Sequence, residues 1–265
     1  MTEQQYHEST VALIQGLPDA SDTPNLSVWC RVEKTPVRFS KEFKQRGGFE
    51  GTAVNPHYLY RLATELFGPV GVGWGFEIVR EEIINGLPLA VIHEIPVYER
   101  IHTLDVLFWY MQDGKRAEVP GRGHTLVTYK TKSGITTDSE YGKKSITDAL
   151  SRAMAYIGFG ADIRMGLYDS GEYVEMLERE DEMQTAEDRE AVREKHEAEA
   201  LDFYKRALEE FDQAKSARVL NKLHESLKKK AVILLNQEQI DAFERAYQKR
   251  VRSFASPKKP TEEKP

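Results

Sequence analysis

Cysteine is almost absent from this 265-residue chain: the single thiol, Cys30, cannot close an internal disulfide or build a cysteine-based zinc site. Histidine offers no substitute, because His57, His93, His102 and His124 show none of the short spacings of zinc ligands. Long apolar runs are missing too, so no segment reaches the length of a membrane span. The opening Met1-Thr2-Glu3-Gln4-Gln5-Tyr6-His7-Glu8 lacks the basic start and apolar stretch of a signal peptide. Together these absences describe a soluble protein of a reducing cytoplasm, with no membrane contact and no cofactor. There is no Gly-x-Ser-x-Gly elbow to present a nucleophile. The glycine-rich run from Gly68 to Gly75 follows a helical pattern and enters a strand, the reverse of a dinucleotide fingerprint. Gly142-Lys143-Lys144-Ser145 has the end of a phosphate-binding P-loop, but Thr137 stands where its first glycine belongs.

What is present is enough apolar content, 40%, to bury one sizeable core and leave room for a smaller second unit. The formal net charge of -6 argues at first against nucleic acid. Its distribution changes that argument. Between Gly171 and Ala200 twelve Asp or Glu face four Lys or Arg, so the rest of the chain carries +2 and has charge to spare for a basic groove.

Residues 1 to about 54 mix polar, Gly and Pro positions with short apolar clusters such as Leu26-Ser27-Val28-Trp29-Cys30, an irregular lead-in with one strand. Asn55-Pro56 then supplies an N-cap and a first helical position, with Leu59, Leu62, Ala63 and Leu66 following at helical spacing until Gly68-Pro69. From Gly71 to Thr137 β-branched and aromatic runs alternate with the turn pairs Asn85-Gly86, Asp113-Gly114 and Ser133-Gly134, the pattern of an antiparallel meander of about four strands. No stretch between them is long enough for a parallel crossover. Lys143 to Ile157 forms the next helix, its apolar stripe being Ile146, Leu150, Ala153 and Ile157, with Lys144, Asp148, Ser151 and Arg152 opposite. A glycine-rich exit, Gly158-Phe159-Gly160-Ala161-Asp162, ends it. After Tyr173 the chain is long-helical, and a last helix opens at Asn236 with Gln239 three residues on, a capping box.

Cations gather beside aromatic residues at Lys41, Lys44 and Arg46, at Arg122, Lys130 and Lys132, and at Lys143, Lys144 and Arg152. Lys130 and Lys132 share a strand face by alternation, and a strand lined with Lys can track a phosphate backbone. Arg46 precedes Gly47-Gly48, whose flexible backbone lets it approach phosphates. Ordinary solubilising charge accounts for the same residues on composition alone. Asp138, Glu140 and Lys143 raise a different chemistry, a Mg²⁺-dependent nuclease, although such triplets arise readily where 30% of residues are charged.

Two blocks carry a resemblance. Phe49-Glu50-Gly51, a helix ending Glu65-Leu66-Phe67-Gly68, then Gly73-Trp74 form the first; Ile146 to Met154 closing on Gly158-Phe159-Gly160 form the second. In that order around a meander, over roughly residues 40 to 170, they resemble the Rad-fifty-two-type annealing proteins. Gly160-Ala161-Asp162 and Gly166-Leu167-Tyr168-Asp169 are closer to the phage and plasmid branch. The resemblance implies an antiparallel β-meander packed on a core helix; with the helical C-terminal region read from periodicity, which lies outside the resemblance, the fold class expected is α+β. It also implies rings or filaments that hold single-stranded DNA in a basic groove and anneal complementary strands without ATP or covalent chemistry, in homologous recombination. Arg152 matches a DNA-contacting cation on the core helix, and the cations around Lys44 and Arg46 match another before the first helix. Ser151 and Ala155 stand where the family often has Lys and Arg, and Lys143 and Lys144 offer compensation. The domains expected are an annealing and oligomerisation domain at 1–170, an acidic helical linker at 171–200, a small helical partner-binding domain at 201–253 and a disordered tail at 254–265. By analogy the helical domain recruits a host single-strand-binding protein or a partner exonuclease. The competing readings are the nuclease and a non-catalytic oligomeric adaptor.

Overall fold

The computed structural model describes residues 23–44, 48 and 50–255. Arg46 and residues 256–265 of the expected tail lie outside the described residues, while Phe254 and Ala255, its first two, close the last helix. The chain divides into two compact units between Asp169 and Ser170.

In the first unit a short helix, α1 (Trp29–Val32), leads to a two-stranded hairpin, β1 (Ser40–Lys44) with β2 (Glu50–Val54). Two strands therefore stand where one was expected, and the apolar cluster Leu26 to Cys30 is helical turn. Helix α2 (Pro56–Phe67) begins as its sequence dictates: the Asn55 side chain accepts from the His57 N–H at 3.0 Å, Pro56 takes the first helical position, and Gly68, with φ of 103°, ends it. Such a cap contributes about 1 kcal/mol.

The sheet is a four-stranded antiparallel meander in the order β3 (Trp74–Ile92), β4 (Ile95–Gln112), β5 (Lys115–Thr131), β6 (Gly134–Thr137). Asp113 and Gly114 both have positive φ, the two-residue turn that matches strand twist. The first reversal is not at Asn85-Gly86 but at His93-Glu94, also both positive. Asn85 instead pairs with Arg100 inside a continuous strand, and register shifts beside Pro88 absorb the missing N–H and curl the ladder. The local turn signal loses because pairing onward to Ile92 and Ile95 satisfies more backbone groups than a hairpin closed at Gly86.

On β4 the alternation is strict: His102, Leu104, Val106, Phe108 and Tyr110 are buried. Over this face lies α3 (Tyr141–Ala155). Two glycines of β5 set how close it comes. A Cβ on Gly121 would sit 2.2 Å from the Ala149 carbonyl oxygen, and one on Gly123 would sit 2.1 Å from that of Ser145. The helix thus rests on strand backbone. Its buried set is Ser145, Ala149, Leu150, Ala153 and Met154, while the expected Ile146 and Ile157 are only partly covered. The stripe is rotated because α3 also packs against α2, so two neighbours rather than one define its inner side.

The second unit comprises α5 (Gly171–Thr185), α6 (Arg189–Gln213), α7 (Ala217–Leu234) and α8 (Gln237–Ala255); α4 (Ala161–Arg164) belongs to the first. Ser170, Asp188, Ser216 and Asn236 each accept a backbone N–H at a helix start. The Asn236–Gln239 pair is reciprocal, as the capping box requires. Phe211, Leu220, Ala231 and Phe243 form its core, with His224 stacked 3.8 Å over Tyr247. Arg250 reaches from α8 to the carbonyls of Phe211, Asp212 and Ala214 and so satisfies the open end of α6. Residues 171–200, expected as an acidic helical linker, hold α5 and the first half of α6, and Tyr173, Leu177 and Ala200 are buried. Their acidity is partly matched: Glu182 holds Lys195 at 2.8 Å and His196 at 3.0 Å, and Arg179 holds Glu199 at 2.7 Å. Hydrogen bonds from Lys195 and His196 hold the Glu182 carboxyl below the usual glutamate range, and one from Arg179 does the same for Glu199. Among the described residues no helix is long and apolar enough to cross a membrane.

Gly121→Ala and Gly123→Ala should each cost about 1–3 kcal/mol or more in denaturant unfolding, because backbone oxygens cannot yield as a flexible side chain would. Gly142→Ala, a helical position with nothing within 4 Å, should be neutral or stabilise by up to about 1 kcal/mol. In the second unit the depressed carboxyls stabilise above the ordinary glutamate range and lose that contribution as pH falls through their folded values. The helical circular-dichroism signal in urea should therefore weaken below about pH 4.3, and Glu182→Gln should flatten that acid limb.

Candidate nucleic-acid interface

The expected DNA-binding cations are distributed over β1, β5, the turn after it and α3, and most already hold a carboxylate. Lys44, at the end of β1, faces its register partner Glu50 and pairs with it. Arg122 lies between the two contact glycines, so by alternation it points to the sheet face away from α3. There its guanidinium makes two hydrogen bonds to Asp105, at 2.6 and 2.9 Å. Those bonds hold the Asp105 carboxyl below its ordinary range. Lys130 is exposed near the end of β5, but Lys132 is in the turn after it. The two do not share a strand face, since the strand ends at Thr131 where the chain reverses into β6.

At the start of α3, Lys143 donates to Glu140 at 3.2 Å and Lys144 to Asp138. Two ammonium groups at a helix N-terminus oppose its dipole, and the two carboxylates offset that penalty. Hydrogen bonds from Lys144 and from the Glu140 N–H hold the Asp138 carboxyl low. The acids weighed as nuclease ligands are thus occupied by lysines. Among the described residues no three His, Cys, Asp or Glu side chains are grouped to hold a metal ion.

Arg152, half-exposed in the last turn of α3, donates to Asp148 one turn back at 2.9 Å. Asp148 also accepts from the His124 backbone N–H at 3.3 Å, which ties this face of α3 to β5 beyond the reach of the short β6. Beside Arg152 stands a cation that spacing did not single out. Gly158 and Gly160 both take positive φ, the chain reverses, and α4 returns Arg164 so that its Nη2 donates to the Ser151 carbonyl at 3.1 Å. Two glycines flanking Phe159 were the available sign of that reversal.

A buried carboxylate holds the reversal. Asp162, 1% exposed, accepts from the Thr35 N–H at 2.6 Å, the Thr35 hydroxyl at 3.0 Å and the Ile163 N–H at 2.8 Å. The Tyr168 hydroxyl donates to the Thr35 carbonyl, and burial pushes that phenol's pKa up. These bonds join the segment after α1 to α4.

Two other constellations lie in this unit. His102 lies between Ser145 Oγ at 2.9 Å and Glu81 Oε1 at 3.1 Å, the spacing of a nucleophile, base and acid. Ser145 is fully buried on the sheet-facing side of α3 and also donates to Thr125, so its hydroxyl is closed to a substrate and the trio ties helix to sheet. A recess of about 550 Å³ between α2, β3 and α3 is lined by Tyr60, Trp74, Phe76, Ile146 and Leu150, and is apolar; its cation, Arg61, is tied to Glu65.

No protein-family model matches the chain, and no curated protein matches it in sequence.

Removing the anchor should expose its role. Asp162→Asn turns one acceptor into a donor facing the Thr35 donors, and leaving buried groups unpaired costs about 1–3 kcal/mol, more where a charge is involved. The first unit should melt earlier, read by tryptophan fluorescence, since Trp29, Trp74 and Trp109 all lie in it.

Proposed function

We propose that this chain is an ATP-independent single-strand DNA annealing protein of the Rad-fifty-two-like kind, working as a homo-oligomeric ring or filament in homologous recombination. The observation that carries the reading is α3: a helix bearing Lys143, Lys144 and Arg152 on its exposed side lies flat on an antiparallel meander and leaves through a glycine reversal. That is the order of parts the resemblance implies. Phosphates would replace the carboxylates now held by these cations. Exposed ion pairs contribute about 0–1 kcal/mol each, so the exchange costs little and each phosphate bound releases counterions from the strand. With the backbone held, bases stay free to pair with a second strand, and pairing itself supplies sequence selection.

Assembly has its own support. β3 is an edge strand of the meander, and the β3–β4 arm exposes Ile78, Val79, Ile84, Leu87, Val91, Ile92 and Ile95. Leu87 and Val91 are 73% and 71% exposed, a large apolar surface for a lone soluble chain. We read it as the contact with a second copy. The helical second unit is read as the docking site for a host single-strand-binding protein or a partner exonuclease.

Mixed with complementary oligonucleotides in the absence of ATP, the protein should accelerate pairing and return both strands uncut. Arg152→Ala should slow it and lower the salt slope of single-strand binding by about 0.7, the value of one phosphate. Failure to bind single strands even at low salt would sink the proposal, and cleavage with Mg²⁺ would replace it with the nuclease. Val91→Asp should lower the assembly mass in light scattering while leaving the melting of the first unit unchanged.

A further inference from the structure

Arg164 is the cation of this face without a carboxylate. Among the described residues it makes no ion pair, and its guanidinium is placed by one hydrogen bond, Nη2 to the Ser151 carbonyl at 3.1 Å. The neighbouring residue on α3 is Arg152. The carboxylate near both is Asp148, which already accepts from Arg152 and from the His124 N–H. The His124 ring stands 3.9 Å from the same carboxylate. Two guanidinium groups therefore share the field of one carboxylate, and the local charge is positive even with His124 neutral.

Electrostatics describes the same surplus. Although Arg164 is exposed, partial desolvation where its guanidinium rests on the α3 backbone lowers its pKa, the nearby charge of Arg152 lowers it further, and Asp148 acts in the opposite direction. Arg164 stays charged at neutral pH, but in a setting that disfavours its charge and that an incoming anion would relieve. Placement of the group is not left to a flexible stem. α4 begins at Gly160 in the left-handed region, and its second residue, Asp162, is locked onto Thr35. The anchor thus fixes where Arg164 returns.

We infer that Arg152 and Arg164 together grip a single backbone phosphate of bound single-stranded DNA, so that the reversal after α3 completes a two-arginine seat that α3 alone cannot form. The inference rests on the annealing reading. A phosphodiester presents two non-bridging oxygens, and one guanidinium from each side suits that geometry better than either alone. Because Arg152 carries Asp148 with it, Arg164 is the member whose charge is uncommitted when the strand arrives.

The test is a double-substitution cycle read by fluorescence anisotropy of a labelled single strand across a salt series. Arg164→Gln keeps an amide donor for the Ser151 carbonyl and removes the charge; thermal melts check the fold, and Arg164→Lys should restore part of the binding. Each of Arg152→Gln and Arg164→Gln should weaken binding about five-fold at moderate salt and reduce the slope by about 0.7. The double variant should reduce the slope by about the same 0.7 rather than about 1.4, since both side chains serve one phosphate. Lys115→Gln, at the exposed first residue of β5, should leave the slope within error of wild type.

If wild type binds and anneals while Arg164→Gln matches it in affinity and slope, the seat is wrong and the annealing reading stands. If the two losses add in full, the arginines serve separate phosphates and the shared grip is overturned. If inorganic phosphate at matched ionic strength protects the wild-type protein in thermal melts as well as the oligonucleotide does, the pair is a free-anion site and the inference fails. If wild type binds no single strand at low salt, the annealing reading falls and the seat falls with it.

Discussion

The first unit depends on a contact in which side chains are absent. Gly121 and Gly123 let α3 settle directly on β5, with the Ala149 and Ser145 carbonyls where Cβ atoms would otherwise be. That approach brings Ala149, Ala153 and Met154 down onto Leu104, Val106 and Phe108. It also places Ser145 where His102 and Thr125 can meet its hydroxyl, so the layer's buried polar groups are satisfied rather than stranded. A helix held away by even one methyl group would lose packing contacts and hydrogen bonds together.

The same docking decides the electrostatics. With α3 flat on the sheet, Asp148 reaches the His124 N–H and holds Arg152, and the reversal anchored by Asp162 carries Arg164 back to Ser151. Lys143 and Lys144 rest on Glu140 and Asp138. A face whose cations are mostly self-paired presents little free positive charge at long range, which accords with a net charge of -6; on the annealing proposal it would exchange carboxylate for phosphate at contact. A shared phosphate seat at Arg152 and Arg164 would concentrate the uncommitted charge at one end of α3. Carboxylates of residues 171–200 are paired inside the second unit, by Lys195, His196 and Arg179 of the same stretch and by Lys229 of α7, which meets Glu172 at 3.6 Å.

The long β3–β4 arm obeys a different constraint. Its strands run past the part of the sheet that α3 covers, so their apolar residues have backbone partners but little side-chain cover. Register shifts near Asn85 and Pro88 curl the ladder without ending it. An assembling copy would give Leu87, Val91 and Ile95 the burial that their own chain does not provide.

Much of this architecture was legible in the residues themselves. Asn55-Pro56, Gly68, Asp113-Gly114 and the Asn236–Gln239 box act through bonds or dihedrals within about four residues, and each does locally what its pattern implies. The alternation of β4 and the helical period of α3 likewise announced a sheet with a helix over it. Asn85-Gly86 misled because a turn preference is a small local term that an extended ladder outweighs. Lys130 and Lys132 misled because alternation stops where a strand stops, and that end is set by pairing with β6. Other features depended on partners distant in sequence: Arg122 on Asp105, Arg164 on Ser151, Asp162 on Thr35. The sequence by itself determined the capped helix at Asn55-Pro56, the antiparallel meander with a helix after it, and the capping box at Asn236. Only the tertiary structure decided which carboxylate each cation meets and where Arg164 returns, because those depend on register and on a backbone contact at two glycines.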